Sequence, residues 1–192
     1  MKNPVKTFLF RDKHVCPWWC CYTFDNFLRK LFHDPKKILQ PYVAEGHTVL
    51  DIGPGMGYFS IPLARMVGEE GKVIAADVQP EMLKALQKRA KKAGVEHQVI
   101  PHLCKNDSLG LNTRLDFILA FWMVHEVPDQ FVFFKEIKSL LKPSGKFLLS
   151  EPILHVNQAM YEETIIKAES VGLVLKEKPK ISLSRSALFA MD

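Results

Sequence analysis

Between Thr48 and Ser60 the chain reads Thr-Val-Leu-Asp-Ile-Gly-Pro-Gly-Met-Gly-Tyr-Phe-Ser, an order that few architectures accommodate. Val49, Leu50 and Ile52 make a short apolar run of the kind buried on both faces of a parallel sheet. Gly53, Gly55 and Gly57 then alternate with other residues, and Ile61, Leu63, Ala64, Met66 and Val67 follow at helical spacing. Strand, glycine turn and helix in that order build a small-molecule site above the carboxyl end of the first strand of an α/β sheet.

After this unit, strands and helices are predicted to alternate. Lys72–Asp77 reads as a second strand, and Pro80–Ala93 as a helix with proline at its start and Gly94 at its end. A third strand lies within Val95–Leu103, broken late by Pro101, and a fourth spans Leu115–Phe121. A helix from about Asp129 to Leu141, closed by Pro143 and Gly145, leads to a fifth strand at Phe147–Leu149. Asn157–Val171 is a further helix. Leu173–Glu177 and Ser186–Met191 are two last strands around a turn at Pro179. The alternation implies βαβ units and a mainly parallel sheet covered on both faces. The last two strands have no helix between them, so that pair should be antiparallel.

Residues 1–46 are different. Aromatics and cysteines crowd together there, among them Phe8, Cys16, Trp18, Trp19, Cys20 and Cys21, and Pro17, Pro35 and Pro41 interrupt them. Short helical pieces are expected at Phe24–Phe32, with Asp25 as cap, and near Pro35–Val43. So many large apolar groups must bury against something, and a lid over the site is the expected role. The chain is thus read as one domain over 1–192, with residues 1–46 as a helical lid and 47–192 as the core.

The 192 residues suffice for a substantial core, and 47% apolar with 24% charged residues is globular composition. There is no run of 18 apolar residues, and Met1–Lys13 lack the apolar centre of a signal peptide, so a cytoplasmic protein without a membrane span is expected. The four cysteines are then thiols, ligands or small hydrophobes sooner than disulfides. Net charge is +5, but Lys84, Lys88, Arg89, Lys91 and Lys92 face away from Met82, Leu83, Leu86 and Ala90 as the wet side of one helix. No nucleic-acid partner is expected from it.

A dinucleotide fingerprint would place glycine at 58, where this chain has Tyr58, and Pro54 removes one amide donor from the loop. Asp51 puts a negative charge beneath the turn, which suits a cationic amino-acid ligand and repels a diphosphate. An NAD-dependent oxidoreductase remains the alternative: Asp77 fits it, whereas Tyr58 and Pro54 do not.

Asp51-Ile-Gly53-Pro-Gly55-Met-Gly57 closely resembles the first motif of the class I methyltransferases that use S-adenosyl-L-methionine. The resemblance extends in order to Asp77, to Asp116–Ala120 with the following Phe121-Trp-Met-Val-His-Glu-Val-Pro-Asp129, and to Leu141-Lys-Pro-Ser-Gly-Lys146. It covers residues from about 46 to the end. It implies a three-layer αβα Rossmann-like fold whose seven-stranded, mostly parallel sheet ends in an antiparallel hairpin. It also implies that Asp51, Gly53, Gly55, Gly57, Val78 and Phe121 line the cofactor, that Asp77 binds both ribose hydroxyls, and that Asp107 meets the adenine. The core is similar to that of the C-methyltransferases of quinone biosynthesis, though the amino-terminal segment does not match theirs.

A sulfonium methyl is already activated, so the transfer is an in-line displacement, and a base is needed only if the acceptor must lose a proton. Candidates above the carboxyl edge are His125 and Glu126 after the fourth strand and Glu151 and His155 after the fifth, with Tyr22 in the amino-terminal segment. His125 could equally be a loop histidine, and Glu151 and His155 could bind backbone amides. Cys16, Cys20 and Cys21 lack the spacing of an iron–sulfur motif and form no paired zinc unit. Cys16 and Cys20 could still hold zinc with Cys104 or His14, or bind a soft acceptor such as arsenite. A small aromatic or apolar acceptor, quinol-like, is the leading expectation. Ala120-Phe-Trp-Met is unlike the Asn-Pro-Pro-Tyr sequence of base-amino methyltransferases. A catalytically silent cofactor-binding protein is the remaining alternative.

Overall fold

Strand periodicity and parallel pairing build one sheet that is buried on both sides. The computed structural model describes residues 32–192. The predicted helix before Phe32, together with Cys16, Cys20, Cys21 and Tyr22, lies outside the described residues. The elements in order are α1 (Pro35–Leu39), β1 (Thr48–Ile52), α2 (Ser60–Val67), β2 (Lys72–Asp77), α3 (Pro80–Ala93), β3 (Val99–Leu103) and β4 (Leu115–Phe121). A short 3-10 turn (Val124–Glu126) precedes α4 (Gln130–Leu140), β5 (Leu141–Pro152), α5 (Gln158–Ser170), β6 (Val174–Glu177) and β7 (Ser184–Ala190).

Among the described residues seven strands form one sheet in the order β3-β2-β1-β4-β5-β7-β6. β3, β2, β1, β4 and β5 run parallel, while β7 is antiparallel to both β5 and β6. The chain winds outward from β1 in one direction and from β4 in the other, so the crevice of a doubly wound sheet opens at their carboxyl ends. Because successive side chains alternate sides, the same strands feed two cores. Leu50, Ile118 and Phe147 pack with Phe134 of α4 and Ile165 of α5. Val49, Phe117 and Leu148 pack on the other face with Leu39, Leu63 and Leu86 of α1, α2 and α3.

Helix ends follow their local chemistry. α3 begins at Pro80 and stops where Gly94 turns left-handed at φ 69°. The Asp129 carboxylate accepts from Phe131 N at 2.9 Å and Val132 N at 3.0 Å, and the Asn157 side chain accepts from Met160 N at 3.0 Å.

Three boundaries differ from expectation. α1 ends at Leu39 instead of Val43, because Pro41 follows at once and the chain closes in a turn, Val43 N donating to Leu39 O. Pro101 does not break β3; it sits inside the strand opposite Ala75, tolerated because β3 is the sheet edge. β5 is far longer than Phe147–Leu149. Leu115 pairs with Leu141 and Phe117 with Lys146, so Lys142–Gly145 bulge out inside the strand instead of preceding it. Gly145 is required in that bulge, since a Cβ there would lie 2.8 Å from Leu115 O.

α4 carries the peptide that follows β4 into the site, and Asp129 is its cap. Asp129→Ala should lower stability by about 1 kcal/mol and the melting temperature by about 2–4 °C. Calorimetry checks this, and a melting temperature unchanged within 0.5 °C would remove the cap from the account.

Candidate functional site

The turn after β1 is left-handed at Gly53, Gly55 and Gly57, with φ of 66°, 54° and 92°. The outer two glycines are also needed for packing. A Cβ on Gly57 would lie 2.4 Å from Leu86 Cδ1, and one on Gly53 would lie 3.2 Å from Met123 Cγ. Gly55 differs: a Cβ there would meet no described atom within 4 Å. The middle of the turn is therefore open, with room for a ligand to approach the backbone.

Two buried carboxylates flank this opening. Asp51, 2% exposed, lies beneath the turn and accepts from Ser60 Oγ at 2.6 Å. Asp77, at the end of β2 and 7% exposed, accepts from Gln79 N at 2.9 Å and from the amides of Val78 and Gly55. Burial pushes the Asp77 carboxyl up to about 6 in spite of those amides, and the charge of Glu126 adds to the effect. A negative, donor-poor cleft beside an open glycine turn suits a cationic amino acid joined to a hydroxylated sugar. The residues fit S-adenosyl-L-methionine.

Val78 is half-buried beside Asp77. Asp107 is exposed, in the turn where Lys105 and Ser108 pair through their main chains, and that turn is anchored by a different carboxylate. Glu136 of α4 accepts from Ser108 Oγ at 2.6 Å and Leu109 N at 2.8 Å. Cys104 packs against the site, its amide donating to Asp77 O at 3.0 Å. Burial, then the Asp77 charge, pushes its thiol up to about 11, so in the metal-free protein it is a neutral thiol at pH 7. Among the described residues no three His, Cys, Asp or Glu side chains are grouped to hold a metal.

Aromatic rings cluster beyond the carboxyl ends of β1 and β4. Phe121, the last residue of β4, is buried 4.5 Å from the Phe59 ring and 5.6 Å from that of Trp122. His33 stands edge-on to both Phe121 (5.2 Å) and Trp122 (4.9 Å). It is gripped by Tyr58, whose hydroxyl donates to His33 O at 2.6 Å, and its Nε2 lies 2.7 Å from Ser182 O. Trp122 has φ 62°, a conformation that costs a non-glycine residue about 1–2 kcal/mol. Its amide donates to Ser150 O at 2.7 Å and its indole N–H to Ser184 Oγ at 2.9 Å, which offsets that strain. His33, Tyr58 and Trp122 were not singled out from sequence. Tyr58 registered only as the glycine it is not; the signal was two aromatic pairs, 58–59 and 121–122, each directly after a strand-end motif.

The polar candidates that follow β4 and β5 meet beyond the carboxyl ends of those strands. Glu151 is 1% exposed; His125 N donates to its Oε1 at 3.1 Å, and His125 Nδ1 lies 2.5 Å from its Oε2. The exposed His155 ring is 5.9 Å from that of His125, centre to centre. Glu126 Oε1 is 4.0 Å from His125 Nε2. Burial acts to lower the His125 pKa, but the Glu151 hydrogen bond and the charges of Glu151 and Glu126 outweigh it, and the result is raised.

Residues 44–181 match the family model described as a methyltransferase domain. The chain belongs to the class I methyltransferases that depend on S-adenosyl-L-methionine, and that membership sets aside the dinucleotide oxidoreductase reading. It is similar to a SAM-dependent methyltransferase from Aquifex aeolicus, at 26% identity and a TM-score of 0.83 over 91% of this chain and 98% of that one. Fibrillarin from Aeropyrum pernix, solved with natively bound S-adenosyl-L-methionine, shares the fold at 15% identity and a TM-score of 0.65, over 84% of this chain and 74% of that one. The ubiquinone/menaquinone biosynthesis C-methyltransferase UbiE of Pasteurella multocida is 29% identical over 123 residues, 62% of this chain and 46% of that protein. The UbiE of Escherichia coli O1:K1 is 30% identical over 124 residues, 62% of this chain and 49% of that protein. The chain thus spans about half the length of these curated relatives. Among the described residues no helix is long and apolar enough to cross a membrane.

Asp77 yields a prediction with opposite signs for stability and binding. A carboxyl raised from 3.8 to about 6 on folding contributes stability that is full below pH 3.8 and lost as pH rises through 6. At pH 7.5 its ionised form costs the ligand-free protein about 2–3 kcal/mol. Asp77→Asn should therefore raise the ligand-free melting temperature at pH 7.5. It should also weaken S-adenosylmethionine binding by about 10- to 100-fold, the scale of lost charge-assisted hydrogen bonds, and flatten the drop in affinity expected below pH 6. Calorimetry across pH 5–8 reads all three; unchanged affinity would take Asp77 out of the site.

Proposed function

We propose that the protein transfers the methyl group of S-adenosyl-L-methionine to a small hydroxylated aromatic molecule of the quinol type. The observation that carries this reading is the cluster of aromatic rings, Phe59, Phe121, Trp122 and His33, beyond the carboxyl ends of β1 and β4. Flat rings stack or meet edge-on with such a surface at little entropic cost. The similarity to quinone-pathway C-methyltransferases supports the same acceptor class.

Bound S-adenosylmethionine supplies an electrophilic methyl group. The chain contributes positioning: Asp51 holds the amine, Asp77 the ribose, and the open face of Gly55 admits the ligand to the backbone. The aromatic wall excludes water from the line of transfer. Residues 1–31 belong to the same function in this reading. The described chain is held at His33 beside those rings, by Tyr58 and by Ser182.

Labelled methyl transfer from S-adenosylmethionine should be detected with hydroquinones and phenols. Transfer to thiols or arsenite alone, or a persistent blank with every acceptor while calorimetry shows the cofactor bound, would overturn the acceptor class or the activity respectively. Gly55→Val should leave a folded protein, by circular dichroism, that has lost cofactor binding, because the new side chain occupies ligand space. Retained binding would mean that the ligand does not enter over Gly55.

A further inference from the structure

We propose that His125 is the general base of the transfer and Glu151 its positioning residue, so that the acceptor is a molecule whose hydroxyl proton must leave. This rests on the methyltransferase reading above.

Both oxygens of Glu151 are engaged by one residue: Oε1 by the main-chain N–H of His125 at 3.1 Å and Oε2 by its ring Nδ1 at 2.5 Å. With 1% exposure at the end of β5, Glu151 is too enclosed to touch an acceptor, and its geometry serves another purpose. A carboxylate on Nδ1 keeps the proton there and fixes the ring plane, leaving the lone pair on Nε2. The main-chain bond fixes the backbone from which the ring projects. A histidine that merely filled a loop would need only one of these contacts. The His125 side chain is 20% exposed, against 1% for Glu151, and its Nε2 has Glu126 Oε1 4.0 Å away.

The surroundings support a base. Glu151 faces the ring from β5, Glu126 from the adjoining turn, and His155 from the β5–α5 loop. Arg185, opposite Glu151 in the β5–β7 register, is turned away: its guanidinium donates to Val156 O at 2.8 Å and to Gln158 Oε1 at 3.1 Å. The charges around the imidazole are thus acidic, which strengthens it as a proton acceptor, and its pKa is raised above the usual 6.5. The charge of Glu126, beside His125 in sequence, is also felt at Asp77.

The step balances without a further reactant. The acceptor's hydroxyl proton passes to Nε2. Its oxygen, or the ring carbon beside it, then forms the bond to the methyl carbon while the methyl–sulfur bond breaks and its electron pair stays on sulfur. In carbon attack the ring proton is lost and the hydroxyl restored, so either route releases one proton. From the imidazolium that proton leaves to solvent, with exposed His155 beside it. A thiolate, or arsenite with its lone pair, needs no such base; a neutral phenolic hydroxyl does.

The test uses the full chain, with 1,4-naphthohydroquinone as acceptor. His125→Asn should reduce kcat by about 100-fold or more, with the dissociation constant for S-adenosylmethionine unchanged. Raising the pH, or using a more acidic nitrophenol, should recover part of the loss. Glu151→Gln should reduce kcat less and move the acid limb of the kcat/KM profile to lower pH. In the ligand-free protein, NMR titration should show the His125 pKa falling in Glu151→Gln, a readout independent of turnover. An unchanged His125 pKa would overturn the positioning role. Full kcat in His125→Asn, or a loss that neither pH nor acceptor acidity relieves, would overturn the base. If the wild-type protein binds cofactor but methylates nothing, the activity reading falls, while the titration still decides whether Glu151 sets His125.

Discussion

The site depends on one extension of a ladder. Beyond the last paired residues of β1 and β2, Gly53 N still donates to Ala76 O at 2.9 Å, so the parallel ladder continues into the glycine turn. That bond holds the turn beside the end of β2, and the Gly55 amide consequently reaches the Asp77 carboxylate. Gly57 lets α2 approach Leu86 of α3 at a distance no side chain would permit. Every feature of the cofactor frame follows from these contacts: a turn with an open middle, an aspartate beneath it and another across from it. The arrangement stores a cost. Asp77 is buried among backbone groups that only partly compensate its charge, the kind of local instability a ligand with paired hydroxyls relieves.

The histidine–glutamate pair and the aromatic rings are set by the neighbouring strands, β4 and β5. Their carboxyl ends are joined by Trp122 N to Ser150 O, a last rung of the parallel ladder before the chain turns left-handed at Trp122. The same peptide bend sends Phe121 and Trp122 toward Phe59 and His33, and brings His125 over Glu151 a few residues later. A strained residue where two strands end next to an apolar wall and a histidine–glutamate pair links fold to chemistry. The antiparallel β7 contributes as well, since Ser184 anchors the Trp122 indole and Ser182 holds His33.

Much of this was legible in the residues. β2, α3 and β4 fall where the apolar runs and the Pro80 and Gly94 punctuation put them, because local chemistry sets those ends. Where neighbours decide, the reading failed. Pro101 is harmless only because its strand lies at the edge, and Pro143–Gly145 joined β5 only because Leu115 was there to pair with Leu141. The cofactor frame was readable because its residues are close in sequence and of special types: three alternating glycines between two strand-end aspartates. Tyr58 was not, since what it does depends on His33, 25 residues away in the chain.

The sequence by itself determined the order of strands and helices, the glycine turn, and the two acidic positions, Asp51 and Asp77, beside it. Those follow from period, propensity and the steric freedom of glycine, all properties of short stretches. Only the tertiary structure decided that Glu151 is spent on His125 and that Phe59, Phe121, Trp122 and His33 cluster where β1 and β4 end. His125 and Glu151 are 26 residues apart, and nothing local tells a carboxylate that both of its oxygens will be taken by the same residue. That pairing comes from β4 and β5 lying side by side, which the chain acquires only when the sheet is complete.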